Sequence, residues 1–185
     1  MVPESLPKNI KELNNIGYQV LPIREELRNN LMAKIRADEI VFPGIVGFED
    51  TVLPQVENAI LAGQDIILLG ERGQAKSRLV RSLVNLLDEF VPIVEGCEIN
   101  DNPFEPVCRS CRNKIADSGD DTGLEWISRN RRYSEKLATP DISIADLIGE
   151  IDPIKVAEGL HLSDELAIHY GLVPRTNRGI FSINE

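Results

Sequence analysis

Apolar positions recur along this chain with a helical period in its first half and give way to short, broken runs in its second. From 24 to 39, Leu27, Leu31 and Ile35 return every fourth residue and share one stripe of a helix. Val52, Val56, Ile60 and Leu61 make a second stripe, with Asp50 or Thr51 placed to cap it and Gly63-Gln64 to end it. Leu79, Val80, Leu83, Leu86 and Leu87 predict a third helix over 76–89. Between the last two lies Asp65-Ile66-Ile67-Leu68-Leu69, an unbroken apolar run that predicts a strand. Residues 1–23 are punctuated by Pro3, Pro7 and Pro22 and predict an irregular arm with a short helix over 8–14.

The second half is less regular. Pro92 to Gly96 predicts a short edge strand. From Cys97 to Arg132 polar residues dominate, over a length that predicts an inserted subelement. Within it, Leu124 to Ile127 predict one helical turn anchored by Trp126. Ile142-Ser143-Ile144 predict an extended segment. Residues 154–173 predict a hairpin or helix–turn element containing His161 and His169. Gly179 to Ile183 predict a strand that ends in Asn184-Glu185.

The sharpest chemical signal sits after the 65–69 run. Gly70-Glu71-Arg72-Gly73-Gln74-Ala75-Lys76-Ser77 joins a predicted strand to a predicted helix. A phosphate-binding loop needs that context: backbone N–H groups face the anion, the lysine reaches the outer phosphates, and the serine hydroxyl ligates Mg²⁺. Arg78 opens the helix, whose positive end adds attraction. Ala75 stands where the strict pattern has glycine, which is tolerable if its φ is negative. The alternative is an ordinary strand–turn–helix with a surface lysine. At the other end, Asn184-Glu185 has the placement of a second acidic motif. There the first residue holds Mg²⁺ through water and the glutamate orients the attacking water.

Composition narrows the classes. The chain has 185 residues, 42% hydrophobic and 27% charged, and a net charge of −10. That balance predicts a soluble globular protein and argues against a nucleic-acid surface, Arg129 to Arg132 being the one basic cluster. No stretch approaches the ~20 apolar residues of a membrane span. Three cysteines make no disulfide framework, so the expected compartment is the cytoplasm.

Four segments taken together resemble a family. Phe42-Pro43-Gly44-Ile45-Val46-Gly47, the 70–77 loop, Val94-Glu95-Gly96-Cys97 and Arg175-Thr176-Asn177-Arg178-Gly179-Ile180 are similar to the magnesium chelatase I subunit and its MoxR-type relatives. These are AAA+ ATPases. The resemblance runs from about residue 40 to the end, and Ala before the lysine is at home in MoxR-type loops. It implies an α/β P-loop NTPase (AAA+) three-layer fold with a parallel sheet, incomplete at the C-terminus. It divides the chain into an arm and helix (1–39) and a partial nucleotide-binding domain (40–185). That domain carries a polar insertion at 97–132 and a clade insertion at 142–173.

By the resemblance, Val46 and Gly47 lie against adenine. Gly70, Glu71, Arg72, Gly73, Gln74, Ala75, Lys76, Ser77 and Arg78 bind the phosphates of ATP, and Ser77 and Asn184 bind Mg²⁺. Lys76 and Glu185 act in hydrolysis. The family works as a ring on a partner protein, remodelling it or assisting metal insertion. Its sensor strand, arginine finger and helical lid are not found here, which implies a partial chain in which hydrolysis is weak or absent. The family's strand order, 5-1-4-3-2, puts a further strand between the loop strand and the Glu185 strand, so those two either pair directly or leave a slot. Asn184 in an acidic position leaves open a module that binds nucleotide without turnover.

Cys97, Cys108 and Cys111 form C-x10-C-x2-C, half of a zinc knuckle, with His161 or His169 available as a fourth ligand. Free thiols and a disulfide are the other readings, and a small zinc-stabilised adaptor is the function that zinc would suggest.

Overall fold

The computed structural model of the chain describes residues 5–184. Along it run α1 (Ile10–Asn15), α2 (Ile23–Arg36), α3 (Leu53–Leu61), α4 (Lys76–Ser82), β1 (Phe90–Val94), α5 (Arg109–Ser118), β2 (Leu124–Ser128), β3 (Tyr133–Leu137), α6 (Ile144–Leu147), β4 (Gly149–Ile151), α7 (Pro153–Ala157), β5 (Ile168–Tyr170), α8 (Leu172–Arg175) and β6 (Ile180–Asn184). They divide into two compact units. One is Leu21–Glu89. The other joins the stretch up to Val20 to the chain from Phe90 onward. Among the described residues no helix is long and apolar enough to cross a membrane.

In Leu21–Glu89 the three predicted stripes meet. Leu31, Phe42, Ile45, Val56, Ile60, Leu79 and Leu86 are buried in one cluster. Glu25 and Glu26 stand in the first turn of α2 and Lys34 and Arg36 in its last, each sign where the helix dipole favours it. The third helix is shorter than the 76–89 expected. It leaves the α-helical path after Ser82 and tightens into a 3-10 turn, Leu83–Leu86. The Ser82 hydroxyl donates to Leu79 O at 2.6 Å, a local bond that competes with the helical ladder. Beyond the turn, Asn30 Nδ2 donates to Leu86 O at 2.9 Å and the Asp88 N–H to Glu26 Oε1 at 2.7 Å, so the chain end is held by α2.

The strand expected over 65–69 is not formed: among the described residues this segment pairs with no strand. Its alternation survives. Ile66 and Leu68 pack on the cluster, while Ile67 and Leu69 are 84% and 90% exposed. A strand is stabilised by its neighbours' hydrogen bonds, and an apolar run alone does not provide them. Direct pairing with the far strand is not seen among the described residues, where β6 pairs with β3.

Among the described residues the other unit holds three two-stranded sheets. β1 and β2 pair antiparallel, Phe90 opposite Ser128 to Val94 opposite Leu124. Leu124–Ser128 is therefore a strand and not a helical turn, because Ile127 must reach Val91 and Ile93 in their buried cluster. Trp126 is the anchor expected of it: its indole N–H donates to Pro7 O at 2.7 Å, and Tyr18 meets the ring edge-on at 5.8 Å. β3 and β6 pair parallel, Tyr133 opposite Ile180 to Leu137 opposite Asn184. β4 and β5 pair antiparallel. Residues 142–144 are not extended as expected. Ser143 caps α6 in a reciprocal box with Asp146, which starts a helix at Ile144.

The Arg175–Gly179 motif stitches this unit together. Asn100 Nδ2 donates to Arg175 O at 2.8 Å, and Arg178 Nη1 donates to Pro92 O at 2.7 Å. The fully buried Arg132 donates to Arg178 O through Nε at 2.8 Å and Nη2 at 2.6 Å. Gly179 then passes so close that a β-carbon there would drive into the carbonyl oxygen of Arg132.

Ala75 precedes α4 at φ 55°, ψ 15°, the left-handed region. The expected negative φ is not what the loop uses, because the chain must turn sharply between Gly73 (φ 84°) and the helix.

Two substitutions test these constraints. Gly179→Ala is expected to lower unfolding stability by about 1–3 kcal/mol in urea titration, since only backbone could move aside. An unchanged midpoint would show that Arg132 and Gly179 are not in contact. Ala75→Gly is expected to leave stability unchanged or to raise it by up to about 1 kcal/mol, the left-handed strain outweighing glycine's unfolded-state entropy. A clear loss in the same titration would mean a negative φ at 75.

Candidate functional site

The 70–77 loop is built by positive backbone angles at three places: Gly70 (φ 157°), Gly73 and Ala75. Nothing lies within 4 Å of where a β-carbon on Gly73 would sit, whereas one on Gly70 would meet the Gln74 side chain. The Lys76 side chain arches back over this turn. Its Nζ donates to Gly70 O at 2.5 Å and Glu71 O at 2.7 Å. Among the described residues no carboxylate forms an ion pair with it. An ammonium satisfied only by carbonyls, at the mouth of a glycine turn, is an unneutralised charge placed for an anion. Ser77 follows in the first turn of α4 and is half-buried. Glu71, Arg72 and Gln74 are exposed on the loop.

Residues 42–47 approach the same helix. Gly44 (φ 79°) leaves 2.6 Å between a built β-carbon and Arg78 Nη2, so the Arg78 side chain lies across this loop. Gly47 has φ 86°, and Val46 is 80% exposed. The structure thus brings Val46, Gly47 and Lys76–Arg78 into one unit.

Asn184 ends β6, in the other unit, and Glu185 lies outside the described residues. The Asn184 amide donates to Glu135 Oε1 at 2.5 Å, and Tyr133 OH donates to Glu135 Oε2 at 2.9 Å. Glu135 was not anticipated. Tyr133-Ser134-Glu135-Lys136-Leu137 is too polar to read as a strand, and only its parallel pairing with β6 places that carboxylate beside Asn184.

The three cysteines are brought together as free thiols, with no disulfide. Cys108 caps α5, and the Cys111 N–H donates to Cys108 Sγ at 3.4 Å. A hydrogen bond from the Cys111 thiol draws Cys97 down to about 6, while that same bond pushes Cys111 up. Burial pushes Cys108 up to about 11. Neither histidine joins them. The His161 ring bonds Ser163 at 2.8 Å and the His169 ring lies 3.5 Å from Arg175 Nη2. The fourth group is Asp101; its three-residue gap from Cys97 is a knuckle interval, but an aspartate there does not stand out among the segment's other carboxylates.

No family model matches the chain. Individual proteins do. It is 32% identical over 149 residues to a magnesium-chelatase subunit ChlI homologue of Methanocaldococcus jannaschii, covering 78% of this chain and 37% of that one. It is 30% identical over 167 residues to the magnesium-chelatase subunit ChlI of Euglena gracilis, covering 83% and 43%. Among solved structures, a complex between subunits BchI and BchD of magnesium chelatase is similar at a TM-score of 0.50 and 26% identity, over 79% of this chain and 41% of that one. The chain spans about two fifths of the length of the relatives it matches. The likeness extends over both units and carries with it the α/β P-loop architecture with a parallel strand pair. The chain is ChlI-like and AAA+-like: it is similar to the magnesium-chelatase ChlI homologues over about four fifths of its own length.

Proposed function

We propose that this chain is the nucleotide-binding part of an AAA+ ATPase, with ATP and Mg²⁺ held on the 70–77 loop. The observation that carries it is the Lys76 ammonium, arched over the loop on two carbonyls, with no carboxylate among the described residues to neutralise it. The residues fit an anion of that kind: the turn is open at Gly73, and a cation stands at its mouth. Main-chain groups of Gly70 to Ala75 would surround the phosphates, Lys76 would reach their outer oxygens, and the Ser77 hydroxyl would hold the metal. Val46 and Gly47 would take the base. Bound Mg²⁺ supplies positive charge to the phosphoryl oxygens.

In the whole protein, Asn184 would bind a metal-held water and Glu185 would orient the attacking water. By likeness to the ChlI relatives and the BchI–BchD complex, the whole protein would assemble into a ring and act on a partner protein, by remodelling it or by assisting metal insertion. The Asn184 amide is committed to Glu135, and this favours a second reading, nucleotide binding without turnover. Phosphate release by a longer form of the protein separates the two: turnover that dies in Glu185→Gln excludes the second.

Binding itself is tested on this chain. With ATP and Mg²⁺ at a hundredfold excess over Kd, folding is expected to be stabilised by about 2.7 kcal/mol, read as a raised melting temperature. Lys76→Ala is expected to abolish that shift without lowering the melting temperature of the free chain. No shift with any nucleotide would overturn the proposal.

A further inference from the structure

Cys97, Cys108, Cys111 and Asp101 each direct one ligand atom into a common space, all four within 4.8 Å of one another. Tetrahedral coordination at the usual zinc–sulfur length requires sulfurs about 3.8 Å apart, which fits inside that limit. The four come from two short segments. Cys97 and Asp101 flank the corner after β1, and Cys108 and Cys111 sit at the start of α5.

The carboxylate is the informative member. Asp101 is fully buried. Its Oδ2 accepts the N–H groups of Cys108 at 2.9 Å and Val107 at 3.2 Å, which fixes the plane of the group. Its Oδ1 is buried with no hydrogen-bond partner. A buried carboxylate oxygen left bare is costly, and a cation is the partner that removes that cost. Two of the three sulfurs carry a complementary mark. The Asp101 N–H donates to Cys97 Sγ at 3.3 Å and the Cys111 N–H to Cys108 Sγ. Backbone donors aimed at sulfur stabilise thiolate, the form in which cysteine binds metal.

We propose that these three thiolates and Asp101 Oδ1 form a closed four-ligand site for a soft divalent cation of the zinc type, with a structural role. Thiolates select such a cation, carboxylate oxygen is an accepted fourth ligand, and an all-protein shell leaves no open position for chemistry. The charge left is that of an ordinary four-thiolate site. The bound ion would lock the 97–111 segment, and with it the corner that the Arg175–Gly179 motif grips.

The test is Co²⁺ and Zn²⁺ titration of the chelator-treated, reduced chain. Expected is about one Co²⁺ per chain, with tetrahedral ligand-field bands and thiolate charge-transfer absorbance of three-sulfur intensity, displaced by Zn²⁺. Zinc is expected to raise the melting temperature. Asp101→Asn is expected to weaken Co²⁺ binding roughly tenfold or more. Asp101→Cys is expected to raise the charge-transfer absorbance by about a third, as a fourth thiolate joins. Absent charge-transfer absorbance, or an intensity of two sulfurs or fewer, overturns the site. So does loss of two thiols to a disulfide in the natively folded chain without metal. Unchanged Co²⁺ affinity and spectrum in Asp101→Asn removes Asp101 as ligand. Should both Asp101 variants fail to fold, the sulfur count from the unaltered chain decides.

Discussion

Burying the Asp101 carboxylate is the condition on which the larger unit closes. Its Oδ2 collects the amides that begin α5, and its own amide is committed to Cys97. The neighbouring Asn100, held at φ 54°, sends its side chain to the Arg175 carbonyl. That carbonyl belongs to the turn whose Arg178 reaches back to β1 and whose Gly179 lies under Arg132. A charged group in the middle of such a network specifies geometry strongly, because any misplacement leaves polar atoms buried and bare. The segment 97–132, largely polar, holds its shape through this wiring and a small apolar cluster of Val94, Ile99, Cys108 and Cys111.

The other unit depends on a plainer constraint. Three amphipathic helices share one cluster, and the 70–77 loop is carried on the edge of it. Here the sequence was easy to read. A stripe such as Leu27, Leu31, Ile35 is a local pattern; Leu31 is buried in the core and Leu27 packs against it, while Ile35, near the helix end, stays exposed. The glycine loop stood out for the same reason: its residues are contiguous, and its turn is built locally from Gly70, Gly73 and Ala75.

What escaped the sequence was set by distant partners. Tyr133–Leu137 becomes a strand because β6 lies beside it, and nothing in five mostly polar residues announces that. Leu124–Ser128 alternates too weakly to show which face meets β1. Ser143 was readable in principle, since Ser-x-x-Asp is a capping signal, but two flanking isoleucines suggested an extended segment. The cysteines were noticed by spacing, whereas Asp101 joins them only through the fold. Ala75 shows the reverse error: a residue type suggested a backbone angle, and the tight turn imposed the opposite one.

The contact between Gly44 and Arg78 has a thermodynamic meaning of its own. Arg78 follows Ser77 directly, so its backbone moves with whatever the first turn of α4 grips, and its guanidinium lies across the 42–47 loop. The two ends of an elongated ligand would then be felt through one side chain. Coupling between binding sites is reciprocal: an adjustment at the phosphate end that tightens the hold on the base must, by the same free energy, let the base tighten the hold on the phosphates. Under the nucleotide-binding function proposed above, discrimination between a whole nucleotide and its fragments would then involve the Arg78 side chain as well as the groups that touch the ligand.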